Sequence, residues 1–241
     1  MSSPIEKVRI IVVGDSGVGK TSLIHLLANE EPLLSPGWTV GAQLEVKLHE
    51  YKEGNPAQNT FFIEFWDIGG TSHHLNARKV FYQPTNGVIL VHDLTNIKSY
   101  ENLQNWLLEI LDKDTKDTKA VIWENIDPEQ FIGSTQIPIL IVGTKMDLLE
   151  AKDTKILQYK KLGTKNIGEW CNAEEINISC HNVRSLSSGT TDSIKFTRFF
   201  DKVIERKYYM SNKEANFLDK RRVYPNMSFS STTPIKLFSP T

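Results

Sequence analysis

Cysteine is scarce in this chain. Only Cys171 and Cys180 occur among 241 residues, and two thiols cannot build the dense disulfide framework of a small secreted domain. A reducing, cytoplasmic setting is the expectation. An excess of charge is missing as well: 28 Lys+Arg stand against 29 Asp+Glu, a formal net charge of −1. No whole-molecule field draws such a chain to nucleic acid or to an acidic membrane, and neither is expected as a partner. The longest apolar runs, around residues 8–13 and 137–142, fall far short of the roughly 18 residues that cross a bilayer. The start, Met1-Ser2-Ser3-Pro4-Ile5-Glu6-Lys7, has no apolar signal region and no glycine for myristoylation. The sequons at Asn177 and Asn226 are then expected to be chance.

What is present supports a real core. The chain is 39% hydrophobic and 24% charged, which excludes disorder throughout. β-Branched runs such as Val8-Arg9-Ile10-Ile11-Val12-Val13, Val88-Ile89-Leu90-Val91 and Ile139-Leu140-Ile141-Val142 suit strands buried on both faces. Amphipathic segments at 21–29, 99–111 and 191–209 alternate with them. The alternation predicts a doubly wound α/β fold with a mostly parallel sheet. Segments 42–50 and 60–66, joined by the polar, turn-rich stretch 51–59, predict an antiparallel hairpin on its edge.

These elements predict one domain over residues 1–210. A polar insertion near 112–136, carrying Trp123, Phe131 and several isoleucines, is long for a helix-to-strand connection. It either packs back on its own domain or offers a partner surface. Residues 211–241 hold five Lys/Arg and two Asp/Glu, a net of +3, among many Ser, Thr and Pro, and are expected to be a disordered tail. Its cluster Lys220-Arg221-Arg222 reads as solvated.

The first strand runs into Gly14-Asp15-Ser16-Gly17-Val18-Gly19-Lys20-Thr21 and then into the apolar segment Leu23-Ile24-His25-Leu26-Leu27. This matches G-x-x-x-x-G-K-[ST] between a strand and a helix. Glycines let consecutive backbone N–H groups turn inward around phosphate oxygens, and the helix N-terminus adds about half a positive charge. Lys20 would reach the β/γ-phosphates and Thr21 would bind Mg²⁺.

Four further segments follow in order: Trp38-Thr39-Val40-Gly41, Trp66-Asp67-Ile68-Gly69-Gly70, Gly143-Thr144-Lys145-Met146-Asp147 and Ile178-Ser179-Cys180-His181. With the phosphate loop they resemble the five motifs of Ras-type small GTPases. The Rab branch is resembled more closely, through Val91-His92-Asp93-Leu94-Thr95-Asn96 and Glu101-Asn102-Leu103-Gln104-Asn105-Trp106. The insertion, the hairpin tip Tyr51-Lys52-Glu53-Gly54 and the run Phe199-Phe200-Asp201-Lys202-Val203-Ile204-Glu205 look like the third Rab-like subfamily.

The resemblance implies GTP/GDP and Mg²⁺ as cofactors. Nucleotide contacts fall to Gly14, Asp15, Ser16, Gly17, Val18, Gly19, Lys20, Thr21, Ser22, Thr39, Gly70, Thr144, Lys145, Asp147, Ser179 and Cys180. Thr21, Thr39 and Asp67 take the metal, while Lys20 and Gly70 carry catalysis. The residue chemistry agrees: two Asp147 oxygens match the ring N–H and amino group of guanine, a pattern adenine lacks, and Gly70 lets its N–H approach the γ-phosphate. For Asp147 the bland alternative is a solvated loop carboxylate. For Ser179 and Cys180 it is a short chance match, because His181 replaces the family's lysine. The subfamily also implies a homodimer that acts on signalling or prenylation of other small GTPases, in contact with them or with their prenylation chaperones.

The departures shape the expected mechanism. Thr71 stands where Ras and Rab proteins carry the glutamine that orients the attacking water, and it is too short for that task. Pro32 takes the place of the phenylalanine that stacks on guanine, and Thr144 replaces the usual asparagine, as in the Rho branch. No cysteine follows Cys180, so no direct lipid anchor is expected. His73-His74 lack a ligand set and are expected in a switch loop. Two functions stand side by side: a fast-exchanging switch with weak GTPase activity at most, and a GTP-stabilised homodimeric interaction module with no significant hydrolysis.

Overall fold

A computed structural model describes residues 5–71, 75–111, 137–150 and 167–210. The insertion at 112–136, His73-His74 and the tail lie outside these residues. Strand β1 (Glu6–Val13) leads through the glycine-rich loop into α1 (Lys20–Asn29). Strands β2 (Ala42–Tyr51) and β3 (Asn59–Ile68) follow, then a short α2 (Leu75–Arg78) with a 3₁₀ turn over Lys79–Phe81. Strand β4 (Gly87–Asp93), α3 (Ile97–Glu101) and α4 (Leu103–Leu111) come next. Strand β5 (Ile139–Thr144) precedes α5 (Met146–Glu150), α6 (Ile167–Cys171), β6 (Glu174–Asn177) and α7 (Thr191–Ile204).

The six strands order as β2-β3-β1-β4-β5-β6. Only β2 and β3 are antiparallel, as predicted; the other four pairings are parallel. All seven residues of β4 and all six of β5 are buried, the result of helices covering both faces of a parallel sheet. Alternate residues of β1 feed two cores: Val8, Ile10 and Val12 pack with α1 and α7, while Ile11 and Val13 pack with α4. The parallel strands point their C-terminal ends to one rim, where ligands of such sheets bind.

Three features differ from expectation. The helix predicted over 99–111 is interrupted at Asn102, whose side chain leaves to bond Asp15 at 2.7 Å. The helix predicted over 191–209 ends at Ile204 and widens into a π-helical turn over Glu205–Met210. That turn is held by distant partners: the Tyr208 hydroxyl donates to the Lys7 carbonyl at 2.7 Å, and Tyr209 stacks on Tyr51. Strand β6 was not foreseen, because Ile176 is its one buried residue.

Candidate nucleotide site

The phosphate loop forms as its spacing requires. Gly19, directly before α1, has φ 98°, a left-handed value that costs a side-chain-bearing residue. Lys20 is 6% exposed, and its Nζ donates to the carbonyls of Gly14 and Asp15, each at 2.9 Å. Burial lowers the Lys20 amine to about 8, against the raising effect of Asp67 and Asp15. A cation held this way is poised for an anion with several oxygens.

Thr21, Thr39 and Asp67 meet beside it. The Thr21 hydroxyl donates to Asp67 Oδ2 at 2.6 Å and the Thr39 hydroxyl to the same oxygen at 2.9 Å; the two hydroxyls are 3.1 Å apart. Asp67 Oδ1 is buried with no hydrogen-bond partner among the described residues. Burial pushes the Asp67 carboxyl up, against the Thr21 hydrogen bond and the Lys20 charge. One orphaned carboxylate oxygen and two convergent hydroxyls are hard oxygen donors, and they fit Mg²⁺ completed by phosphate and water.

Gly70 closes the site. A Cβ there would lie 2.5 Å from the Ser16 nitrogen and 2.6 Å from the Gly14 carbonyl oxygen, so only glycine brings this backbone so near the loop. A cavity of about 250 Å³ is lined by Ser16, Lys20, Thr21, Thr39, Gly70 and Thr71, with Gly17, Gly19, Ser22 and Trp38 also on its walls.

The base end gathers three strand ends. The Thr144 hydroxyl, fully buried, donates to the Val18 carbonyl and lies 3.0 Å from that of His92. This threonine therefore acts on the loop's backbone, tying β5 to the phosphate site. Lys145 takes φ 60° and pairs with Asp93 at 2.7 Å. Asp147 sits in the first turn of α5 with Oδ1 buried and unpartnered among the described residues, unlike a freely solvated carboxylate. The Met146 N–H donates to the Ile178 carbonyl at 3.3 Å, which joins this turn to the Ser179-Cys180 loop. Burial, then the Asp147 charge, push the Cys180 thiol up to about 12, and the Ser179 hydroxyl accepts the His181 N–H at 3.3 Å.

Of the predicted site residues, Ser16, Gly17, Gly19, Lys20, Thr21, Ser22, Thr39 and Gly70 line the phosphate cavity, while Thr144, Lys145 and Asp147 follow one another at the end of β5 and Ser179 and Cys180 come just after β6. Pro32 is half-buried in the segment between α1 and β2. Sequence reasoning missed the supports: Asp93, Asn102, Trp106, Arg78 and Glu109. Asn102 and Trp106 share a helix face by their spacing of four, but nothing local names Asp15 as their target.

Residues 9–179 match the Ras family. Rab-like protein 3 of Xenopus tropicalis is 46% identical over 228 residues, spanning 90% of this chain and 94% of that protein. Rab-like protein 3 of Mus musculus is 44% identical over 226 residues, with the same coverage. The small GTPase LIP1 of Arabidopsis thaliana is 35% identical over 159 residues, 62% of this chain and 44% of LIP1. With the phosphate loop, the oxygen cluster at Asp67 and the unpaired Asp147 oxygen on one rim, these matches place the chain in the Ras family, as a small GTPase of Rab-like type and so a nucleotide-binding switch.

Proposed function

We propose that this switch exchanges guanine nucleotide fast and hydrolyses GTP slowly, so that it stands mainly in the GTP form. The observation that carries this reading is Thr71. Thr71 lines the phosphate cavity at the position of the water-orienting glutamine, and a hydroxyl one carbon from the backbone is too short to orient the attacking water. Lys20 neutralises developing charge on the transferred phosphoryl group, and Gly70 offers a backbone N–H to it. Thr21, Thr39 and Asp67 would hold Mg²⁺, which when bound draws charge from the phosphate oxygens. Thr39 lets go once the γ-phosphate leaves, as switch segments do. At the base, Pro32 supplies no ring to stack on guanine, which favours release.

From the resemblance to Rab-like proteins we infer a role in signalling by, or prenylation of, other small GTPases, in the cytoplasm. Among the described residues no helix is long and apolar enough to cross a membrane. A second reading, a GTP-stabilised homodimeric interaction module, is favoured by the apolar surface beside the site. Trp38, Leu34 and Val40 are 89%, 85% and 81% exposed, and Leu44, Val46 and Leu48 line the outer strand β2. Exposed apolar residues gathered on neighbouring segments favour an interaction surface.

One experiment separates the two. The protein is purified without added nucleotide, its bound nucleotide identified by chromatography, and a single turnover of GTP followed in Mg²⁺. Slow GDP formation with rapid release supports the switch as proposed; prompt hydrolysis with retained GDP contradicts it; no GDP at all supports the module.

A further inference from the structure

Helix α4 grips the phosphate site from the side. Asp15 accepts through both carboxylate oxygens from this helix and the residue before it: Asn102 Nδ2 donates to Oδ2 at 2.7 Å and Trp106 Nε1 to Oδ1 at 2.8 Å. The face of the Trp106 ring carries a cation, with the Arg78 guanidinium carbon 4.1 Å from the ring centroid. Arg78 is 5% exposed and binds Glu109 through two parallel hydrogen bonds, Nε to Oε1 at 2.7 Å and Nη2 to Oε2 at 2.6 Å. The Tyr82 hydroxyl donates to the same Glu109 Oε1 at 2.7 Å. The remaining nitrogen, Arg78 Nη1, donates to the Thr71 carbonyl at 3.1 Å.

We infer that Arg78 is a positioning residue for the response to the γ-phosphate: through Trp106 and Glu109 it holds the Gly70–Thr71 backbone against the phosphate loop. The two ends of one chain of contacts lie at the phosphate loop and at the phosphate cavity. One end is Asp15 inside the loop, and the other is the Thr71 carbonyl, next to Gly70, where an added Cβ would come within 2.6 Å of the backbone of Gly14, Asp15 and Ser16. A planar guanidinium suits this place because one side can stack on Trp106 while its edge serves Glu109 and Thr71 together. A lysine ammonium has no such fork.

The inference rests on nucleotide binding and not on the exchange and hydrolysis rates proposed above. Its test compares dissociation constants for GDP and for a non-hydrolysable GTP analogue, with thermal midpoints, in the full chain and in Arg78→Ala, Arg78→Lys and Glu109→Gln. The expected result is a loss of preference for the analogue over GDP by about tenfold in Arg78→Ala and Glu109→Gln, the order of one charge-assisted hydrogen bond, with GDP affinity within about twofold of the parent. Arg78→Lys recovers the thermal midpoint but not the preference. Equal losses for both nucleotides, or an unchanged preference in folded variants, overturn the inference. Should Arg78→Ala fail to fold, Glu109→Gln, which keeps size and one acceptor, decides it. Failure of the unaltered chain to bind GDP would instead sink the nucleotide-binding reading itself.

Discussion

Lys145 Nζ lies 2.7 Å from Asp93 Oδ2, an ion pair that links the end of β4 to the loop after β5. Asp93 also accepts the Thr95 N–H and hydroxyl at 2.8 and 2.7 Å. Lys145 is thus held in a left-handed backbone turn with its side chain fixed by Asp93, before any nucleotide would meet it. Asp93→Asn removes the charge and keeps a similar shape. It is expected to speed GDP release about fivefold, the scale of a partly buried ion pair near 1 kcal/mol, in a stopped-flow measurement with fluorescent GDP. Unchanged release would show that Lys145 is positioned by other contacts.

The same pair carries a pH signature. Burial pushes the Asp93 carboxyl up, but the hydrogen bonds from Lys145 and Thr95 outweigh it and hold the group below its usual range. A lowered carboxyl contributes stability that is present above the unfolded value, about pH 4, and is lost as pH falls through the folded value. The parent is thus expected to lose more stability than Asp93→Asn on acidification below about pH 4. Denaturant midpoints across that window check the sign, and parallel curves for the two proteins would contradict it.

Thr71→Gln restores the group that orients water. Single-turnover hydrolysis is expected to rise by about tenfold or more, since a positioned nucleophile is worth orders of magnitude. Nucleotide affinity should stay put, because Thr71 meets the rest of the site through its backbone carbonyl at Arg78. If hydrolysis does not respond, slow turnover has a cause other than Thr71.

Much of this site was legible in the chain, and the reason is local. A phosphate loop is encoded by glycine spacing, because backbone conformation at Gly17 and Gly19 depends on the residue in place. Strands β4 and β5 announced themselves as unbroken apolar runs, since a parallel strand is buried on both faces. Strand β6 did not: of Glu174, Glu175, Ile176 and Asn177 only the isoleucine is buried, and pairing with β5 rather than composition makes it a strand. The π-helical turn depends on Tyr208 meeting Lys7, 201 residues away. Arg78, Trp106 and Glu109 were ordinary helix residues until folding brought them to Asp15 and Thr71. Supports built from residues far apart in sequence leave no periodic trace.

Pro32→Phe tests the missing stack at the base. Base–aromatic stacking is worth about 1–3 kcal/mol, so GDP release is expected to slow by about 5- to 150-fold. Pro32 is half-buried and outside any helix or strand, so a ring there need not disturb the core. Release that stays fast would mean that the segment between α1 and β2 does not bring this position to the base.

Asp147→Asn tests which base is chosen. Guanine offers two donors on the edge facing Asp147, and a carboxylate accepts both. An amide has one acceptor and one donor, which mismatches guanine but fits xanthine, whose carbonyl replaces the amino group. GDP affinity is expected to fall by about 5- to 150-fold, the worth of a bidentate pair at roughly 1–3 kcal/mol, and affinity for xanthosine diphosphate to rise. Fold stability should change little, because Asp147 Oδ1 has no partner to lose among the described residues. Competition between the two diphosphates separates the possibilities. A loop carboxylate with no part in binding would leave both affinities unchanged, whereas a base-selecting one must move them in opposite directions.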